Sequence, residues 1–121
     1  MKLVFITDDP EVKAVAETAF PHGEKLEFHS VWSEGLDACE GAEMVFVDLV
    51  ATLDEPHRVA GYEKFAHAKM AHPVAAKIPL VLLAPPADYD MDFIAGWPDF
   101  VFAQFRKPVN EKLFRRVVTY L

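Results

Sequence analysis

The chain has 121 residues, the length of one ordinary domain with one core, and 52% of them are hydrophobic. Its net charge of -7 argues against a nucleic-acid binder, because phosphate backbones are held by clustered Lys and Arg. Cys39 is the only cysteine, which excludes an internal disulfide and a thiolate metal site.

Leu3-Val4-Phe5-Ile6 is a continuous apolar run, the pattern of a strand buried on both faces. It is too short for a signal-peptide core or a membrane span, so a cytoplasmic protein is expected. After Pro10, residues Val12, Val15, Ala16, Ala19 and Phe20 follow helical spacing, with Asp9 as the cap and Pro10 in the first turn. Pro21 and Gly23 end that helix. Leu26-Glu27-Phe28 reads as a weaker second strand, and residues 33–39 as a short second helix. Met44-Val45-Phe46-Val47 is the next fully buried run; it leads into Asp48, and a polar, irregular stretch is expected from Ala51. Asp54-Glu55-Pro56 has the form of a helix start, with Val59, Tyr62, Ala66 and Met70 on one face and His72-Pro73 at the end. Residues 78–83 form a third apolar run, central in the sheet, before a sharp break at Pro85-Pro86. A short helix is expected over 89–95 and a last strand at Phe100-Val101-Phe102. Asn110 then caps a final helix with Leu113, Val117 and Leu121 on one face, and Phe114 and Val118 beside it.

The order βαβαβαβαβα predicts a single α/β domain over residues 1–121, a doubly wound, flavodoxin-like parallel sheet of five strands in the order 2-1-3-4-5. In such folds ligands sit beyond the carboxyl ends of the strands where the order reverses, here between the first and third strands. The first strand ends in Asp8-Asp9 and the third in Asp48, so three carboxylates are expected to converge in one acidic pocket. Their repulsion must be offset by raised pKa values, by a nearby Lys or Arg, or by a bound divalent cation. Oxygen-rich sites of this kind suit Mg²⁺. Strand-end aspartates also serve simply as helix caps, as Asp9 does on this reading. A nucleotide or flavin phosphate is disfavoured, because the first turn, Thr7-Asp8-Asp9-Pro10, is anionic and lacks one N–H. The histidines at 22, 29, 57, 67 and 72 show no metalloprotease spacing.

Four stretches carry a resemblance: residues 5–12 (FITDDPEV), Val45-Phe46-Val47-Asp48, residues 78–83 (IPLVLL) and Lys107-Pro108-Val109. In this order the set resembles the signature stretches of response-regulator receiver domains, over the whole chain. The resemblance implies that Asp48 accepts a phosphoryl group from a histidine kinase or phosphotransfer protein. It implies that Asp9 and Asp48 bind Mg²⁺ directly with the carbonyl of Val50, while Asp8 acts largely through water. Lys107, before a cis proline at Pro108, would pair with the phosphoryl oxygens. Labile acyl phosphates suit a switch, and no enzymatic activity is expected beyond self-phosphorylation and dephosphorylation of Asp48.

The chain also departs from that pattern. Receivers usually end the fourth strand with Thr or Ser and then a small residue, whose hydroxyl and next N–H donate to the phosphoryl group. Here Ala84 has no hydroxyl and Pro85 has no N–H. At about 1.5–3 kcal/mol per charge-assisted bond, two lost donors rival the roughly 5.5 kcal/mol needed to turn a switch from mostly off to mostly on. The loop after Asp48 lacks the usual Met-Pro turn and reaches Gly61-Tyr62-Glu63 late. The switch-aromatic position, three residues before Lys107, holds Gln104, and Phe100 or Phe102 substitutes only in a shifted register. Two functions therefore compete: a receiver phosphorylated on Asp48 that signals by an altered route, and a phosphorylation-independent pseudo-receiver acting as a protein-interaction module. A small hydrolase using paired carboxylates would need a cleft that a compact sheet of this size barely provides. Output is expected through protein contacts on the last helix-strand-helix face, around Trp97, Phe105 and Tyr120, with no nucleic-acid or membrane partner.

Overall fold

A computed structural model describes residues 1–20, 24–52, 60–84 and 101–120. The described strands are β1 (Lys2–Ile6), β2 (Lys25–His29), β3 (Met44–Asp48), β4 (Leu80–Ala84) and β5 (Ala103–Arg106). The described helices are α1 (Pro10–Ala19), α2 (Trp32–Asp37), α3 (Leu49–Thr52), α4 (Ala60–Ala71) and α5 (Glu111–Val118), with α3 and α4 both between β3 and β4. A 3-10 turn, Ala75–Lys77, precedes β4. All four strand pairings are parallel and the order is β2-β1-β3-β4-β5, as the alternation of strands and helices predicts.

The two-residue period of a strand sorts the core into two layers. Leu3 and Phe5 of β1, Met44 and Phe46 of β3, and Val81 and Leu83 of β4 pack with Val12 and Ala16 of α1 and with Phe114 and Val117 of α5. Their neighbours Val4, Ile6, Val45, Val47, Leu80 and Leu82 face the opposite layer, with Leu36 of α2 and with Tyr62 and Phe65 of α4. Register aligns like with like: Phe5 stands beside Phe28 and Phe46 on the neighbouring strands. The Phe5 and Phe46 rings stack at 4.5 Å, and the edge of Phe114 closes on Phe46 at 5.2 Å. β3 and β4 are buried along their whole length, whereas the edge strand β5 alternates between half-buried and exposed.

The helix ends are written in the sequence. Asp9 caps α1, its side chain accepting from the Glu11 N–H with Pro10 in the first turn, and Asn110 caps α5 by accepting from the Leu113 N–H. Three expectations are corrected. The last strand is Ala103–Arg106 rather than the apolar run ending at Phe102, which is exposed. An edge strand with one wet side is marked by alternation, Ala103 and Phe105 inward and Gln104 and Arg106 outward, not by a continuous apolar run. The stretch after Asp48 opens with a helical turn, α3, too short to display a helical period. On α4 the buried face is Tyr62, Phe65, Ala66 and Lys69, while Met70 is exposed. Lys69 lays its stem along the core and its ammonium donates to the Ile78 carbonyl at 2.8 Å. Burial pushes its pKa down. The expectations at 21–23, at Asp54-Glu55-Pro56, at His57 and Val59, over 89–95 and at Pro85, Trp97, Phe100 and Leu121 lie outside the described residues. Among the described residues no helix is long and apolar enough to cross a membrane.

Gly35 lets α2 lie directly on β1. A Cβ there would come within 2.7 Å of Ile6 Cδ1, and closer still to Ile6 Cγ1, in a fully buried side chain. Gly35→Ala should therefore lower stability by about 1–2 kcal/mol, because overpacking of about 1–3 kcal/mol exceeds the gain of up to about 1 kcal/mol in helix propensity. Urea unfolding checks the sign.

Candidate functional site

The same alternation that builds the core builds the site above it. Continuing the α1/α5 face beyond the strand ends leads from Leu3 and Phe5 to Thr7 and Asp9, from Met44 and Phe46 to Asp48, and from Ala103 and Phe105 to Lys107. These four side chains meet. The Lys107 ammonium donates to Asp9 Oδ2 at 2.9 Å and makes a short contact with Asp48 Oδ2. The Thr7 hydroxyl donates to the same Asp48 oxygen at 3.0 Å, and the Val50 N–H donates to Asp48 Oδ1 at 3.2 Å. Asp48 is 1% exposed, against 16% for the Lys107 side chain and 26% for that of Asp9.

The local chain explains each placement. Lys107 leaves the end of β5 with its N–H donating to the Ala84 carbonyl, and the Lys107–Pro108 peptide is cis. Asp9 does two tasks with two oxygens, capping α1 through Oδ1 and meeting Lys107 through Oδ2. The hydrogen bond from Lys107 holds its carboxyl below the usual carboxylate range despite partial burial. For Lys107 burial works against the charge, but the hydrogen bonds to Asp48 and Asp9 outweigh it and raise the pKa. The ammonium is therefore the cation that offsets the paired carboxylates.

The three aspartates do not form one cluster. Asp8 is one residue out of phase and exposed, and lines a hollow with Thr7, Asp9, Lys13, Phe28 and Ser30 that adjoins the site on the β2 side. Among the described residues no group of three or more His, Cys, Asp or Glu side chains is placed to hold a metal ion. Val50 contributes its backbone N–H, and its side chain is exposed. Ala84 is fully buried at the end of β4 and brings no hydroxyl. Gln104 lies on β5 opposite Leu82 and is exposed. On the proposed output face Phe105 packs against the α1/α5 layer and Tyr120 is 64% exposed. Thr7 is the site residue that sequence reading passed over. Its signal was its parity with Leu3 and Phe5, which puts it on the face of Asp48.

No protein-family model matches the sequence, and no curated protein is significantly similar to it. Solved structures match in fold. A CheY-like response-regulator receiver domain protein from Methanospirillum hungatei superposes with a TM-score of 0.72 at 15% identity, covering 98% of this chain and 91% of that one. The chemotaxis response regulator CheY4 of Vibrio cholerae gives 0.71 at 14% identity, over 98% and 96% of the two chains. The receiver domain of a sensor histidine kinase from Pseudomonas aeruginosa, whose structure holds a magnesium ion in its active-site cleft, gives 0.73 at 13% identity over 98% and 94%.

Lys107→Met tests the electrostatics. It leaves a buried carboxylate without its counter-ion, so stability at neutral pH should fall by about 3–5 kcal/mol. A loss below about 1 kcal/mol in urea unfolding would mean that Asp48 does not depend on the ammonium. With a five-stranded parallel sheet in the order β2-β1-β3-β4-β5 and superpositions covering 98% of it, this chain has the fold of a CheY-like response-regulator receiver domain.

Proposed function

We propose that the chain is a two-component signalling receiver in which Asp48 accepts a phosphoryl group from a phosphohistidine on a histidine kinase or phosphotransfer protein. The observation that carries this reading is the buried Asp48 carboxylate sharing one lysine ammonium with a second carboxylate at a parallel-sheet switch point. In the transfer an Asp48 oxygen forms a P–O bond as the donor's P–N bond breaks, the electron pair staying on the departing imidazole. The product is an acyl phosphate, labile enough for a reversible mark.

The pocket's donors fit Mg²⁺: two hard carboxylates from neighbouring strand ends already converge on one cation. Asp9 and Asp48 would hold the metal with the Val50 carbonyl, and exposed Asp8 would reach it through water. When bound, Mg²⁺ neutralises charge on the transferring phosphoryl oxygens. Lys107 would pair with phosphoryl oxygens in exchange for its carboxylate partners. Asp9, fixed by its cap, keeps its place while this exchange occurs.

A second reading is favoured by the end of β4. Ala84 offers no hydroxyl and Pro85 no N–H, so a phosphorylated state is stabilised less than one held by both donors. On that reading the chain is a pseudo-receiver, an interaction module that binds its partner without phosphorylation. Tyr120 and the neighbouring surface of α5 are then the first place to look for contacts.

Beryllofluoride with millimolar Mg²⁺, standing in for the phosphoryl group, should shift backbone NMR signals around Asp48 in the native chain and leave Asp48→Asn unchanged. No response in the native chain removes the phosphoacceptor and leaves the interaction module. Ala84→Thr should tighten beryllofluoride binding by about tenfold, the worth of one charge-assisted hydrogen bond. Unchanged affinity there would clear Ala84 of the defect.

A further inference from the structure

Thr7 is 6% exposed, and its hydroxyl links the Asp9 backbone to the Asp48 carboxylate. Its Oγ1 accepts the Asp9 N–H at 3.0 Å and donates to Asp48 Oδ2 at 3.0 Å. A hydroxyl has one proton, so with Asp9 donating to the oxygen the proton is committed to Asp48. The Val50 N–H holds the other oxygen, Oδ1. Each oxygen of the carboxylate therefore has a donor other than Lys107. Among the described residues Thr7 supplies the hydroxyl that reaches Asp48, and the end of β4 supplies none.

We propose that Thr7 is a positioning residue for Asp48, its hydroxyl just beyond the end of β1 holding the carboxylate in place while Lys107 changes partners. This inference rests on the phosphoacceptor reading. Its logic is that Lys107 is divided between Asp9 and Asp48 and must turn towards an incoming phosphoryl group, so it cannot also fix the nucleophile. Thr7 and Val50 are tied to backbone on both sides of the pocket and stay. A hydroxyl that accepts an N–H two residues on is also an ordinary turn-closing device, and that role alone would not reach Asp48's chemistry.

The test uses the full chain and two measurements, beryllofluoride affinity at millimolar Mg²⁺ and urea unfolding. Thr7→Val should weaken beryllofluoride binding about tenfold or more, and Thr7→Ser should restore it to within about threefold of the native chain. Thr7→Ala serves in the same comparison where valine does not fold. In unfolding, Thr7→Val and Asp48→Ala should be non-additive by about tenfold in the equilibrium constant. Native affinity in Thr7→Val, or additive losses in the cycle, overturns the positioning role and leaves Thr7 a turn closure. A native chain that gives no beryllofluoride response overturns the phosphoacceptor reading itself, and this inference with it. That failure is read in the unmutated protein, so the two are told apart.

Discussion

A carboxylate that is 1% exposed needs a cation and hydrogen-bond donors beside it, and for Asp48 the Lys107 ammonium is that cation. Everything around it follows from this requirement. β3 delivers Asp48 to the sheet's upper edge, and β5, two strands away in the order, must deliver Lys107 to the same face. The hydrogen bond from the Lys107 N–H to the Ala84 carbonyl ties that delivery to β4, the strand between them. Fold and site are thus coupled through charge as well as through the apolar layers beneath.

The pocket economises on groups by giving each more than one task. Asp9 caps α1 and shares the ammonium, so the start of the helix and the charge state of the site are set by one side chain. Thr7 closes a turn and donates to Asp48. Lys107, whose charge is reinforced by the two carboxylates, is the member with a reason to move, because a third anion in the pocket competes for the same ammonium. The backbone-tied donors have no such reason. That division separates fixed from exchangeable partners in a chain whose fourth strand ends in Ala84, without a hydroxyl, ahead of Pro85, without an N–H.

Below the site, the two layers differ in character. The α1/α5 side is built on stacked and edge-on phenylalanines, Phe28, Phe5, Phe46 and Phe114, directly under the charged residues. The α2/α4 side instead admits polar groups: Lys69 reaches the Ile78 carbonyl, and His72 accepts two N–H groups at the start of the 3-10 turn while facing Asp37. The rigid aromatic layer supports the pocket, and the polar accommodations lie on the opposite face.

The sequence alone determined the strand order, the buried central strands and both side-chain caps, because burial on two faces and helix capping leave local, periodic marks. It also placed Asp8, Asp9 and Asp48 near one edge, and the resemblance to receiver domains added Lys107. It did not determine which of them touch. Phe102 drew the last strand three residues early because an apolar run outweighed the alternation of Ala103–Arg106, a pattern that matters only once β5 is known to be an edge. The expected trio of aspartates became a pair with a lysine and a threonine. Parity with Leu3 and Phe5 puts Thr7 and Asp9 on the α1/α5 face and leaves Asp8 exposed, and the register of β3 and β5 brings Asp48 and Lys107 to that face. Residue type and spacing are properties of one strand, whereas the phase between strands is fixed by register, and register is decided by how the whole sheet packs.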